Sequence, residues 1–149
     1  MRAVIQRVKT ASVNIENNTI ASIGEGILAF VGFHHEDTSD DLEYIANKIL
    51  QLRIFCDDKD LMNLSLLDIE GELLIVSQFT LYGDARKGRR PSYSTAMPPN
   101  KAQIYFKDFI EICELKYKKV KSGIFQADMK INLVNSGPVT ILLDSSKIF

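Results

Sequence analysis

Few residues in this chain combine the types and spacing that chemistry needs. The run Ser77-Gln78-Phe79-Thr80-Leu81 holds several of them. It follows Leu73-Leu74-Ile75-Val76, a short apolar run that reads as a strand buried on both faces. Thr80 offers a hydroxyl and Gln78 an amide at that strand's C-terminal end. A threonine nucleophile needs a nearby base, and the local sequence supplies none. A strand-end threonine bonded to backbone is the plainer alternative. Phe79 reads equally as a pocket wall or as core.

The second stretch is Ile131-Asn132-Leu133-Val134-Asn135-Ser136-Gly137-Pro138-Val139-Thr140-Ile141-Leu142-Leu143. Two apolar runs flank a Gly-Pro pair. Proline removes a ladder donor, so any sheet pairing must break or bulge there. The pair is either a tight hairpin turn or a rigid device that holds stiff backbone carbonyls toward a ligand. Elsewhere the toolkit is thin. His34 and His35 are adjacent, and on an extended chain their side chains point to opposite sides, so no shared metal is expected. H-E-x-x-H, G-x-S-x-G and a phosphate-binding G-x-x-x-x-G-K-[ST] loop are all absent.

The chain has 149 residues, enough for one domain with a real core. Hydrophobic residues make up 46% and charged residues 25%, ordinary values for a soluble globular chain. No apolar run approaches the ~20 residues of a membrane span. Gln6 and Arg7 interrupt the N-terminal apolar segment, which argues against a signal peptide and for a cytoplasmic protein. Cys56 and Cys113 are far apart and read as isolated buried thiols. Net charge is −1, so the whole molecule does not attract nucleic acid strongly. Arg86, Lys87, Arg89 and Arg90 nevertheless cluster in one loop, and Lys116, Lys118, Lys119 and Lys121 at a helix end. Each cluster is either a solvated face or a phosphate contact.

The elements that must position these residues follow from periodicity. Strands are expected over Met1 to Lys9 and Ala11 to Glu16, with an Asn17-Asn18 turn and a return over Thr19 to Ile23. Ile27 to Val31 reads as a fully buried strand. Thr38 and Asp41 form a capping box for a helix that carries Leu42, Ile45, Ala46, Ile49 and Leu52 and runs to about Arg53. A short strand is expected over Leu64 to Ile69 and a long loop over Tyr82 to Asn100. Asn100 with Gln103 would cap a second helix with the stripe Ala102, Phe106, Phe109 and Cys113. Strands are expected over Lys121 to Phe125, Lys130 to Val134 and Val139 to Leu143. The fold expected is α+β: a mixed, curved, barrel-like sheet with two α-helices in a single domain spanning residues 1–149.

Ser77-Gln78-Phe79-Thr80-Leu81, taken together with Asn135-Ser136-Gly137-Pro138-Val139-Thr140, resembles the D-aminoacyl-tRNA deacylase family. The likeness covers nearly the whole chain. It includes Ile5-Gln6-Arg7-Val8, Ala11-Ser12-Val13, Met62-Asn63, Gly88-Arg89-Arg90-Pro91-Ser92 and Ala127-Asp128-Met129. The resemblance implies a homodimeric, cytoplasmic hydrolase without cofactor or metal. Its substrate would be the ester between a D-amino acid and the terminal ribose of tRNA, and glycine wrongly attached to alanine tRNA. The resemblance also implies that the Gly137-Pro138 peptide is cis and enters the partner subunit's pocket, beside Ser77 and Phe79. Rigid carbonyls of Gly137 and Pro138 would receive the substrate's α-amino group, and an L side chain would then meet main chain. Main-chain N–H groups of Phe79 and Thr80 would serve as oxyanion donors, with Gln78 positioning the substrate. The tRNA's 2′-hydroxyl would help to activate water, with Thr80 as nucleophile the alternative. Arg86, Lys87, Arg89, Arg90, Lys118 and Lys119 become candidate acceptor-end contacts. The reading from another class is a non-catalytic RNA- or aminoacyl-binding module that uses the same groove.

Overall fold

Alternating apolar residues bury Ala3, Ile5, Val8, Ala11 and Val13 and draw the N-terminal segment into one strand, β1 (Arg2–Ile15). In the computed structural model, which describes residues 1–148, the two expected N-terminal strands are therefore continuous. The step between buried positions lengthens on both sides of Val8. There too the pairing with the last strand, β8 (Lys130–Asp144), shifts register. The first hairpin turns one residue earlier than the asparagines suggested. Glu16 takes the left-handed backbone (φ 53°), and β2 begins at Asn18 (Asn18–Ile23).

β3 (Gly26–Gly32) and β6 (Glu72–Ser77) pair in parallel and form the centre. Both are buried on two faces, as unbroken apolar runs require. Ile27, Ala29, Val31, Leu73 and Ile75 face the helices. Leu28, Leu74 and Val76 face a second cluster with Val8, Ala11, Val13 and Ile23. β7 (Val120–Ser122), shorter than expected, pairs in parallel with β6. β1 has β8 along one edge, and β3 and then β2 along the other, all antiparallel. β2 also comes close to β6 and β7, so the curved mixed sheet is nearly closed.

α1 (Ser39–Gln51) begins as expected. The Thr38 N–H and hydroxyl both donate to Asp41 Oδ2, at 2.8 and 2.9 Å. It ends two residues before Arg53. α2 (Pro99–Lys116) buries Ala102, Phe106, Phe109 and Cys113, the expected stripe, but starts differently. Pro98 occupies the cap and Pro99 the first turn, where a missing N–H costs nothing. The expected strand over Leu64 to Ile69 is instead a short hairpin strand, β5 (Met62–Leu64), paired with β4 (Phe55–Cys56). After it the chain turns through residues 66–70, because Asp68 accepts from the Ser65 N–H (2.8 Å) and hydroxyl (2.6 Å).

Cys113 is buried, and burial pushes its thiol up to about 12. Cys56 is exposed, against expectation, because it alternates along β4 with Phe55, which takes the buried face. Among the described residues no helix is long and apolar enough to cross a membrane.

Candidate functional site

The parallel pair β3–β6 ends at Val31 and Ser77, and the ladder continues one bond further, from the Gln78 N–H to the Val31 carbonyl (2.7 Å). The chain then tightens into a 3₁₀ turn, Phe79–Tyr82. Gly32 permits this closeness. A Cβ there would lie 2.8 Å from the Gln78 carbonyl oxygen and 3.3 Å from Leu81 Cβ. A cleft of about 930 Å³ opens here, at the C-terminal ends of the parallel strands. Ser77, Gln78 and Phe79 line it, with Phe33, Met97 and Phe125 among its apolar walls.

Gln78 and Thr80 meet: the Gln78 amide donates to Thr80 Oγ1, a side-chain contact rather than the backbone bond of a strand-end threonine. That contact uses one of the hydroxyl's two lone pairs and supplies no base to take its proton. Thr80 itself is exposed. The cleft lining includes no histidine, lysine or arginine among the described residues, and its one carboxylate is Asp128. The N–H groups of Phe79 and Thr80 stand at the start of the turn, where no partner exists within it. Phe79 is 60% exposed, which decides between wall and core. Its ring meets Tyr93 edge-on, with centroids 5.0 Å apart.

Tyr93, Ala96 and Met97 reach the cleft because their loop is bonded to the end of β3. Met97 N–H donates to the Phe33 carbonyl (2.9 Å) and His35 N–H to the Thr95 carbonyl (3.2 Å). The sequence alone does not single out these walls, since a residue in a long loop carries no periodic signal. Phe125, also on the wall, was expected to end a strand. Asp128 and Met129, the latter packed where a Cβ on Gly123 would sit, belong to a segment that carries the family likeness.

Gly137 and Pro138 lie elsewhere. They are not in a hairpin: both flanks of the pair run along β1, and the register passes from Thr140 opposite Gln6 to Asn135 opposite Val8. Residues 136–139 therefore bulge out, as the missing proline donor requires. The Gly137-Pro138 peptide is cis and Gly137 has φ 124°. Both residues are exposed, and neither lines the cleft of its own chain. Side chains brace the bulge. Arg7 donates from Nε to the Ser136 carbonyl (3.0 Å) and from Nη1 to the Ile54 carbonyl (2.5 Å). Asn135 Oδ1 accepts from the Val139 N–H (2.8 Å), and Asn135 Nδ2 donates to Thr140 Oγ1 (3.1 Å).

The two basic clusters differ. Asp84 and Ser92 exchange backbone hydrogen bonds of 2.8 and 2.9 Å, which close residues 85–91 into a projecting loop. Arg86 folds back on Asp84 through Nε (2.9 Å) and Nη2 (2.7 Å), and this fork holds the Asp84 carboxyl well below the usual carboxylate range. Lys87, Arg89 and Arg90 are exposed. In the other cluster Lys116 pairs with Glu43 (2.9 Å), Lys121 with Glu72 (2.8 Å), and Lys119 donates to the Glu70 carbonyl (2.7 Å). Lys118 is exposed. Lys119 lies at the N-terminal end of β6, about 17 Å of strand from Ser77.

A profile of the D-Tyr-tRNA(Tyr) deacylase family matches residues 4–144. A D-aminoacyl-tRNA deacylase of Thermosipho africanus is 56% identical over 149 residues, the full length of both chains. One of Clostridium botulinum is 52% identical, again over all of both chains. Among solved structures, a c-Myc DNA Unwinding Element Binding Protein superposes with a TM-score of 0.93 at 40% identity, covering 97% of this chain and 98% of that one. A probable eukaryotic D-amino acid tRNA deacylase gives 0.83 at 17% identity, over 95% and 97%, a likeness of fold.

Proposed function

The chain belongs to the D-Tyr-tRNA(Tyr) deacylase family, and from that premise we propose how it hydrolyses the ester of D-aminoacyl-tRNA and spares the L form. It is an aminoacyl-tRNA ester hydrolase, and this displaces the reading as a mere binding module. The observation that carries the mechanism is a cleft lined by Ser77, Gln78 and Phe79, with no histidine, lysine or arginine among its described lining residues; Thr80 follows directly after that lining. Such a site can stabilise charge, and the exposed carboxylate of Asp128 is the one side-chain base among its described lining residues.

The acceptor end lies in the cleft with its ester carbonyl beside Phe79 and Thr80. Water adds to that carbonyl, and the N–H groups of Phe79 and Thr80 hold the oxyanion. The C–O bond to the ribose then breaks, freeing the D-amino acid and the tRNA hydroxyl. The ribose 2′-hydroxyl relays the proton: it accepts one from the attacking water as it passes its own to the departing ribose oxygen, a transfer that a side chain would otherwise have to make. Gln78 orients the substrate, and Ser77 and Phe79 flank it. Thr80 is no nucleophile in this reading, because the Gln78 amide that meets its hydroxyl is a donor and takes no proton from it.

Selection comes from a second copy of the chain. Gly137 and Pro138 are exposed on a braced bulge away from their own cleft, which supports their entering the cleft of a homodimer partner. Their carbonyls receive the α-amino group. With amine and ester both fixed, the D side chain points outward and the L side chain runs into main chain. Glycine has no side chain to clash, so glycyl-tRNA is cleaved as well. Lys87, Arg89 and Arg90, with Arg86, supply phosphate contacts from the projecting loop, and Lys118 and Lys119 at most an outer one. The enzyme acts in the cytoplasm, as one deacylase unit over residues 1–149. Matched D- and L-tyrosyl-tRNA incubated with the protein test the reading. Release of D-tyrosine with the L ester left intact is expected; equal cleavage of both would end it.

A further inference from the structure

Outside the cleft, the described residues hold one group of metal-ligating side chains: His34, His35 and Glu36, whose donor atoms all lie within 4.8 Å of one another. An extended chain would point the two imidazoles apart. Here the chain turns directly after β3. The His34 N–H donates to Asp37 Oδ2 (2.7 Å) and the Asp37 N–H to the His34 carbonyl (3.1 Å). The turn brings the two rings to 4.2 Å between centroids. His34 is held further by the Tyr82 ring at 5.4 Å. Its Nδ1 accepts from the Glu36 N–H over a long 3.3 Å, a bond that an ion at this atom would replace, and Glu36 Oε2 stands 3.7 Å from the same nitrogen.

We propose that His34, His35 and Glu36 form a surface site for a borderline divalent cation of the zinc class. Two donors at about 2.0–2.2 Å from a tetrahedral ion lie roughly 3.4 Å apart. The His34–Glu36 pair is near that already. His35 and Glu36 are exposed and need only rotate their side chains to complete the set. Two imidazoles and one carboxylate favour zinc over magnesium, which prefers oxygen donors and keeps its waters. The remaining position stays open to water.

The site has a route to the cleft. His34 bridges Ala96, the His35 N–H donates to the Thr95 carbonyl, and the Met97 N–H to the Phe33 carbonyl. Ala96 and Met97 wall the cleft. An ion bound across the turn would therefore stiffen that wall. It takes no part in the hydrolysis.

Titrating untagged protein with zinc chloride alone, by calorimetry, tests this. One zinc per chain is expected, with affinity reduced about tenfold or more in His35→Ala and in Glu36→Gln. Both side chains are exposed, so both variants should fold. Magnesium chloride should give no saturable heat. Amide exchange across residues 93–97 should slow when zinc is added. The proposal is overturned by absent saturable zinc binding, by binding that survives both substitutions, or by binding lost only in Cys56→Ser. Unchanged exchange at 93–97 would overturn the link to the cleft.

Discussion

Adding one methyl at Gly137 perturbs the bulge without touching the cleft of the same chain. An ideal Cβ there would stand 2.6 Å from Arg7 Nη2 and 2.9 Å from Val139 Cγ2, where ordinary contacts begin at 3.4 Å. Either the guanidinium or the bulge must then give way by about 0.8 Å, the difference between 3.4 and 2.6 Å. The backbone adds its own cost. A φ of 124° suits glycine, and an L residue held there is strained by about 1–3 kcal/mol. If Arg7 yields, its bonds to the Ser136 and Ile54 carbonyls loosen and the brace goes with them. If the bulge yields, its carbonyls move by nearly 1 Å, and a shift of that size costs about 100-fold in rate. Gly137→Ala should therefore lower kcat/KM for D-tyrosyl-tRNA by about 100-fold in single-turnover deacylation. The melting temperature should fall by roughly 2–12 °C, since each kcal/mol moves it about 2–4 °C at this size. Arg7→Lys keeps the glycine but loses the planar fork, and should cost less than Gly137→Ala on both readouts. Undiminished D-tyrosyl-tRNA cleavage by folded Gly137→Ala, with the L ester still spared, would refute the argument.

Three further outcomes follow from the same geometry. Thr80→Ala should keep activity within about tenfold in the same assay, because the missing hydroxyl only accepts from Gln78; a dead but folded variant would restore the nucleophile reading. Arg89→Glu and Arg90→Glu should weaken tRNA binding and lower its salt dependence by about 0.7–0.9 for each phosphate no longer neutralised, whereas Lys119→Glu, beside Glu70 at the far end of β6, should change binding little in the same titration. The Glu72 carboxyl is held below its ordinary value of 4.5, first by the Gly24 N–H and then by Lys121. Its contribution to stability is thus present above that value and is lost as pH falls through the lower folded-state value. Glu72→Gln should melt lower than wild type at pH 7, with the gap closing in acid.

The helix stripes were legible because apolar spacing alone sets them: Ala102, Phe106, Phe109 and Cys113 point inward as expected. So were β3 and β6, whose unbroken apolar runs admit few other environments. The boundaries that failed depended on local polar geometry. Ser65 and Asp68 make a turn where apolar residues suggested a strand. Pro98 and Pro99 start α2 ahead of the better capping side chain, Asn100. The Gly137-Pro138 kink was visible in the residue types, but its place was not. A hairpin and a bulge share the same turn chemistry, and only pairing of both flanks with β1 separates them. The cleft walls Tyr93 and Met97 were illegible for a related reason. They are held by backbone bonds from the loop to Phe33 and His35, and any sequence can make those. The turn that brings His34 and His35 together was hidden likewise, because Asp37 makes it from three residues away.

The most direct test is a structure of the protein with a non-hydrolysable D-tyrosyl-adenosine amide in the cleft. The ligand's α-amino nitrogen is expected at about 2.7–3.2 Å from carbonyl oxygens of Gly137 and Pro138 of a second protomer, with the D side chain directed outward. A ligand bound beside Phe79 and Thr80 with the Gly137-Pro138 bulge of both protomers out of its reach would contradict selection by that bulge.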